Sequence, residues 1–172
     1  MKKLRDTKVL TTCAMLLAIA VIFGFFKIPI SDVSEIRLQF LPVALSGMLF
    51  GPAVGGVIGG LTDVLGFLVK PTGPFFPGFT ITGIIQGALY GFMLRKKEPS
   101  IKRIVVTQLL ETLVVSVILN TVNLSILYGQ GIMAVLGARI IKTVVMLPVN
   151  ILLLTVVLRA GGNVYKRIIK KA

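Results

Sequence analysis

The residues best suited to chemistry gather in one stretch. Lys70–Thr82 reads Lys-Pro-Thr-Gly-Pro-Phe-Phe-Pro-Gly-Phe-Thr-Ile-Thr, with three of the chain's eight prolines and three of its ten phenylalanines. Proline fixes its own φ and pushes the residue before it toward extended geometry, so three in seven residues exclude a helix and stiffen the segment. Pro71 and Gly73 shape this backbone, Lys70 offers a cation, Thr72 and Thr80 offer hydroxyls, and Phe75, Phe76 and Phe79 offer flat faces on which a ring can stack. Such a segment reads as one wall of a binding site. Four cations fall at the same level as this wall: Arg37, Lys70, Arg139 and Lys142. Guanidinium and ammonium groups suit carboxylates, and Arg grips one with two parallel bonds; the bland role for such cations is snorkelling to lipid headgroups. With the amides Gln86, Asn120 and Asn123 added, the expected ligand is a planar, polar-edged, anionic small molecule. Asp63 is suited either to an ion pair or to a ligand's ring nitrogens.

The elements that must position these groups are membrane helices. The chain has 172 residues, 55% apolar and 15% charged, with a mean hydropathy of +0.95. Apolar stretches recur from Val9 to Leu158, more than one soluble core can bury. The pattern predicts an all-α integral membrane protein: one six-helix transmembrane domain over 1–172, with helices at about 7–26, 37–50, 53–69, 79–94, 104–128 and 136–158. Between them lie a polar loop at 27–36, the proline loop at 70–78 and a third loop at 129–135. Gly51-Pro52 separates the second helix from the third, and a kink or widening is expected at Pro148. The basic start, Met1-Lys2-Lys3, precedes an apolar run that reaches Phe26 with no small-residue cleavage site, so a retained first helix is expected rather than a signal peptide.

Charge sets the orientation. Of nineteen Lys and Arg, fourteen fall in the N-terminal segment, the 95–103 connector and the tail. The positive-inside rule then places both termini in the cytoplasm and the pocket at the outer face of the plasma membrane. The same distribution answers the nucleic-acid reading that a net charge of +13 would otherwise invite. With no His and one Cys (Cys13), neither a metal site nor a disulfide within the chain is expected. No Gly-rich Lys-Ser/Thr loop, paired carboxylates or Ser/His arrangement points to an ATPase or an enzyme, and no cofactor is expected.

Inside the bilayer, polar residues are costly and turn inward. At 100° per residue, Gln108, Thr112, Ser116, Asn120 and Asn123 share one stripe, with Glu111 beside it. Thr82, Gln86 and Tyr90 align on the fourth helix, and Arg139, Lys142, Thr143, Met146 and Asn150 on the sixth. For Gln108, Thr112 and Ser116 the favoured role is interhelical bonding; the level shared by Asn120, Asn123, Arg139 and Lys142 favours a cavity. Small residues recur four apart as Gly55/Gly59, Gly56/Gly60 and Gly83/Gly87/Gly91, a packing pattern. Ala14/Ala18 and Ala20/Gly24 do the same on the first helix, where a second protein is an alternative partner.

These segments together resemble a known family. Phe50-Gly51-Pro52, Pro71-Thr72-Gly73-Pro74-Phe75-Phe76-Pro77-Gly78-Phe79-Thr80, Leu119-Asn120-Thr121, Leu124-Ser125-Ile126-Leu127-Tyr128-Gly129 and Arg139-Ile140-Ile141-Lys142 with Pro148 resemble the substrate-binding S components of energy-coupling factor (ECF) vitamin transporters, and within them the folate-specific branch. The resemblance implies a six-helix protein that binds its vitamin tightly near the outer face, closed by the three loops and helices 4–6. It implies docking through helices 1–3, Ala14 and Ala18 included, onto a transmembrane scaffold served by two cytoplasmic ATPases. A toppling motion in the membrane belongs to the family's proposed cycle. Folate carries a flat pterin, an aromatic linker and two carboxylates; on this reading Phe75, Phe76, Asn120 and Asn123 serve the rings, and Arg37 and Arg139 the carboxylates. The competing expectations are an S component for riboflavin or a pyrimidine precursor, and a self-standing facilitator.

Overall fold

A computed structural model describes the backbone of residues 7–25, 28–31, 34–36, 38–71, 73–95, 100–129 and 131–169. Among these residues the order is α1 (Thr7–Phe25), β1 (Ile28–Ser31), β2 (Ser34–Ile36), α2 (Phe40–Phe50), α3 (Pro52–Val69), α4 (Pro77–Leu94), α5 (Ile101–Tyr128) and α6 (Ile132–Ile169). Length and apolar composition suit α1, α3, α5 and the Thr143–Gly162 part of α6 to crossing a bilayer, and α2 is a shorter apolar helix. Large apolar side chains face outward along several helices, among them Met15 and Ile22 on α1, Phe92 on α4 (80% exposed) and Leu152 and Val156 on α6. Water would not tolerate so much exposed apolar surface; lipid does.

Several boundaries differ from the sequence expectation. The expected polar loop at 27–36 contains an antiparallel hairpin, pairing Ile28 with Ile36, Pro29 with Glu35 and Ser31 with Ser34, with a register shift between Pro29 and Ser31. Its isoleucines favour extended backbone, and a two-stranded ribbon has only edge strands, where proline is tolerated. Consequently α2 begins at Phe40 rather than 37, while β2 lies against α6. Helix α4 begins at Pro77 rather than 79, because proline lacks the N–H that the first turn leaves unpaired. Helix α6 begins at Ile132 rather than 136 and runs to Ile169 rather than ending near 158. Nothing after Pro148 breaks it except the tolerated Gly161-Gly162, and Val164–Ile169 supplies fair helix formers.

Pro148 lies inside α6, whose backbone remains α-helical around it although proline itself donates no bond; a widened turn occurs instead in α5, whose Thr112–Leu119 stretch is π-helical. No Gly or Pro occurs anywhere in α5 to announce it. Between α2 and α3 the chain turns at Gly51, whose φ of 103° is open to glycine and strained for other residues, and Pro52 restarts the helix. Gly129, at φ 63°, ends α5 in the left-handed cap position.

Two apolar clusters and one glycine seam hold the helices. Phe40, Leu41, Ala44 and Met48 of α2 meet Tyr90 and Leu94 of α4, Ile104 of α5 and Leu154 and Leu158 of α6. Cys13 and Ala20 of α1 meet Val43 and Ile58. Between α3 and α4, Gly55 and Gly59 lie against Gly83 and Gly87: a Cβ on Gly55 would stand 2.5 Å from the Gly87 carbonyl oxygen, and one on Gly83 2.7 Å from that of Gly59. Backbones this close exclude any side chain from the seam, so the two helices pack by dispersion and leave the wider spaces elsewhere. The larger cluster fills the end of the bundle near the 95–100 connector. The other end stays hollow.

Candidate functional site

The hollow end is a cavity of about 260 Å³. Helix α3 supplies Asp63 and Phe67, and Lys70 follows at its end; Pro74, Phe75 and Phe76 supply a rim; α4 adds Phe79, Thr82 and Gln86. Helix α5 contributes Gln108, Glu111, Thr112, Ser116 and Asn120, and α6 contributes Thr143, Met146 and Asn150. A straight α-helix with 3.6 residues per turn drifts across such a wall; the wider π turns let Glu111–Thr112, Val115–Ser116 and Asn120 stay on it.

Aromatic contacts fix the rim to two helices. Phe75 meets Phe67 of α3 with ring centroids 5.1 Å apart at 57°, and Phe76 meets Phe79 of α4 edge-on at 5.9 Å. Both geometries suit the ring quadrupole and leave faces free for a flat guest. Phe67 was not among the expected residues. Its helical distance from Asp63 and its place one turn before Lys70 are the signals that point to it.

Of the expected residues, the structure brings Lys70, Phe75, Phe76, Gln86 and Asn120 onto the wall. Pro71 and Gly73 lie beside the lining rather than in it, with Pro74 taking the wall position. Thr80 turns to α3, its hydroxyl donating to Asp63 Oδ2 at 2.8 Å. Asn123 is buried and bonds between helices: its Nδ2 donates to Thr82 Oγ1 at 2.9 Å, and Thr82 donates to the Gly78 carbonyl at 2.9 Å. Arg37 and Thr72 lie outside the described residues. For Arg139 and Lys142 only the backbone is described; each stands four residues before a lining residue of α6, Thr143 and Met146. On α1, Ala20 and Gly24 are buried, whereas Ala14 and Ala18 are exposed.

At the inner end lies a network that joins Gln86, expected as a ligand amide, to Gln108, expected as an interhelical bond, through Glu111. Gln86 Nε2 donates to Glu111 Oε1 at 2.7 Å and Gln108 Nε2 to Glu111 Oε2 at 2.8 Å. The Tyr90 hydroxyl donates to Gln108 Oε1 at 3.2 Å. A carboxylate within a membrane helix is itself a pointer to function, and Glu111 was the available signal. Among the described residues no group of His, Cys, Asp and Glu could hold a metal ion. The arrangement can sandwich a ring, satisfy its polar edge and present a cation at the mouth.

Comparison with known proteins agrees with this architecture. Residues 8–158 match the family model described as ECF transporter, substrate-specific component. The chain is 31% identical over 147 residues to the folate transporter FolT of Clostridium novyi (strain NT), covering 86% of each chain. A crystal structure of FolT bound with folic acid superposes with a TM-score of 0.81 at 34% identity, over 87% of this chain and 91% of that one. The structure of the S component of a bacterial ECF transporter superposes at 0.59 with 25% identity, over 95% of this chain and 96% of that one. The chain is thus a multi-pass membrane protein that belongs to the family of substrate-specific (S) components of ECF transporters.

Proposed function

We propose that the chain binds folate in this cavity and serves as the folate-specific S component of an ATP-driven importer. The observation that carries the reading is the likeness, at 34% identity and a TM-score of 0.81, to a FolT that was crystallised with folic acid. The cavity supports it independently, since Phe75 and Phe76 suit a pterin or benzoyl ring, Asn120 and Gln86 a polar ring edge, and Lys70 a tail carboxylate. Arg37, Arg139 and Lys142 are further partners for the tail, and Thr72 with Pro71 and Gly73 shapes the rim. The importer's transmembrane scaffold and two ATPases are separate chains, the scaffold docking on the α1 face that carries Ala14 and Ala18. Both termini are cytoplasmic, and the mouth opens outward. Calorimetry of the purified chain against folate, riboflavin and thiamine tests the assignment. Tight binding of folate alone is expected; tight binding of riboflavin or thiamine with none of folate overturns it.

A further inference from the structure

Glu111 is only 7% exposed, yet it forms part of the cavity wall. It lies 17 residues before Tyr128, the lining residue at the mouth end of α5, about 25 Å at the usual rise. Asp63, the other lining carboxylate, is seven residues from Lys70 at the mouth, about 10 Å. The two acids therefore sit at different depths, and Glu111 is the deep one.

Its surroundings orient it without neutralising it. Gln86 holds one oxygen and Gln108 the other, both as neutral amide donors. Gln108 is itself steered by the hydroxyl of Tyr90, a ring with no exposed surface. An ionised carboxylate accepts about four hydrogen bonds. The two amides take one acceptor site on each oxygen and the Thr112 hydroxyl engages the carboxylate as well; its remaining acceptor capacity lies toward the cavity that the side chain lines. A planar acceptor pair facing a cavity flanked by aromatic rings matches two parallel N–H donors on the edge of a flat heterocycle.

We propose that Glu111 is the specificity-determining acceptor of this cavity, taking the ring N–H and the exocyclic amine of a 2-amino-4-oxo heterocycle in a two-bond fork. The inference rests on the folate reading, since the pterin of folate carries that edge. It fixes the pose: the pterin enters first, and the glutamate tail is left near Lys70. It also states what is rejected. A flavin or a 2-oxo pteridine presents one N–H between two carbonyl oxygens, so at least one oxygen would face the carboxylate, an arrangement that leaves a buried acceptor pair unpaired. A carboxylate that merely tied α4 to α5 would show no preference between these edges.

The test is a cycle of binding measurements on the full chain with folic acid and its 2-desamino analogue. The wild type is expected to favour folic acid by roughly 100-fold, the scale of a charge-assisted bond lost from a paired site. Glu111→Gln should reduce that ratio to a few-fold by weakening folic acid selectively. Glu111→Asp keeps the charge with a shorter reach and should give an intermediate ratio, which covers the case of a Gln variant that does not fold. Equal binding of both compounds by the wild type, or an undiminished ratio in Glu111→Gln or Glu111→Asp, overturns the proposal. Failure of the wild type to bind folic acid, with tight binding of another vitamin, overturns the folate reading and this inference with it.

Discussion

At the scale of single residues, chemistry was easier to read than partnership. Phe75 and Phe76 were legible because the prolines around them forbid a helix and leave the rings on a stiff rim. Asn120 and Asn123 looked equivalent, three residues apart on one stripe, but only the fold separates them: Asn120 stands on the wall, while Asn123 bonds Thr82. That bond spans 41 residues in sequence, so local spacing could not reveal it. Replacing Asn123 with Leu should therefore lower the thermal unfolding midpoint, at a cost of about 1–2 kcal/mol for a buried hydrogen bond broken with its partner left behind. Scanning calorimetry checks this, and an unchanged midpoint would show the bond to be idle. Lys70 makes the opposite case, because it lines the cavity. If it faces the tail carboxylates, Lys70→Gln should weaken folate by roughly 10-fold, the size of one charge-assisted contact, yet leave pterin without a tail unaffected. Equal loss for both compounds would place the ammonium on the ring instead.

At the scale of elements, small-residue spacing was a sound guide and helix regularity was not. Gly55, Gly59, Gly83 and Gly87 announced a close helix pair, and α3 and α4 are in backbone contact there. The π-helical Thr112–Leu119 stretch carries no such signal, since α5 holds neither the Gly nor the Pro that would mark a break in its regularity. The hairpin at Ile28–Ile36 was hidden by the polar residues scattered through it. The glycine seam gives a sharp expectation. An alanine at Gly87 would drive its Cβ into the Gly55 carbonyl, backbone that cannot move aside cheaply. Gly87→Ala should cost about 1–3 kcal/mol, as overpacking does, and depress the unfolding midpoint. Gly137→Ala, on α6 with nothing within 4 Å of the added methyl, should be neutral or gain up to about 1 kcal/mol from helix propensity. Similar midpoints for the two variants would mean that the seam is looser than its geometry implies.

At the scale of the whole molecule, the balance of apolar and charged residues carried the membrane reading, and the structure adds how the bundle divides its length. One end is filled by the cluster around Tyr90, Leu94, Leu154 and Leu158; the other is emptied by loops, small residues and a polar lining. Binding and conduction need different things from such a body. A through-channel needs both ends open, whereas a cavity closed at one end can only hold its guest until another component changes the arrangement. The chain reconstituted alone in vesicles should therefore bind folate and not accumulate it, and ATP-dependent uptake should appear only with scaffold and ATPases added. Orientation is what connects this division to import. Ser100, beside the basic connector, and Gly131, beside the cavity mouth, are both exposed and lie at opposite ends of α5. In a background with Cys13 replaced by Ala, a cysteine at Gly131 should react with a membrane-impermeant thiol reagent added to intact cells, and one at Ser100 only after the cells are opened. The reverse pattern would turn the mouth toward the cytoplasm, and a protein so oriented would be placed to release folate rather than capture it.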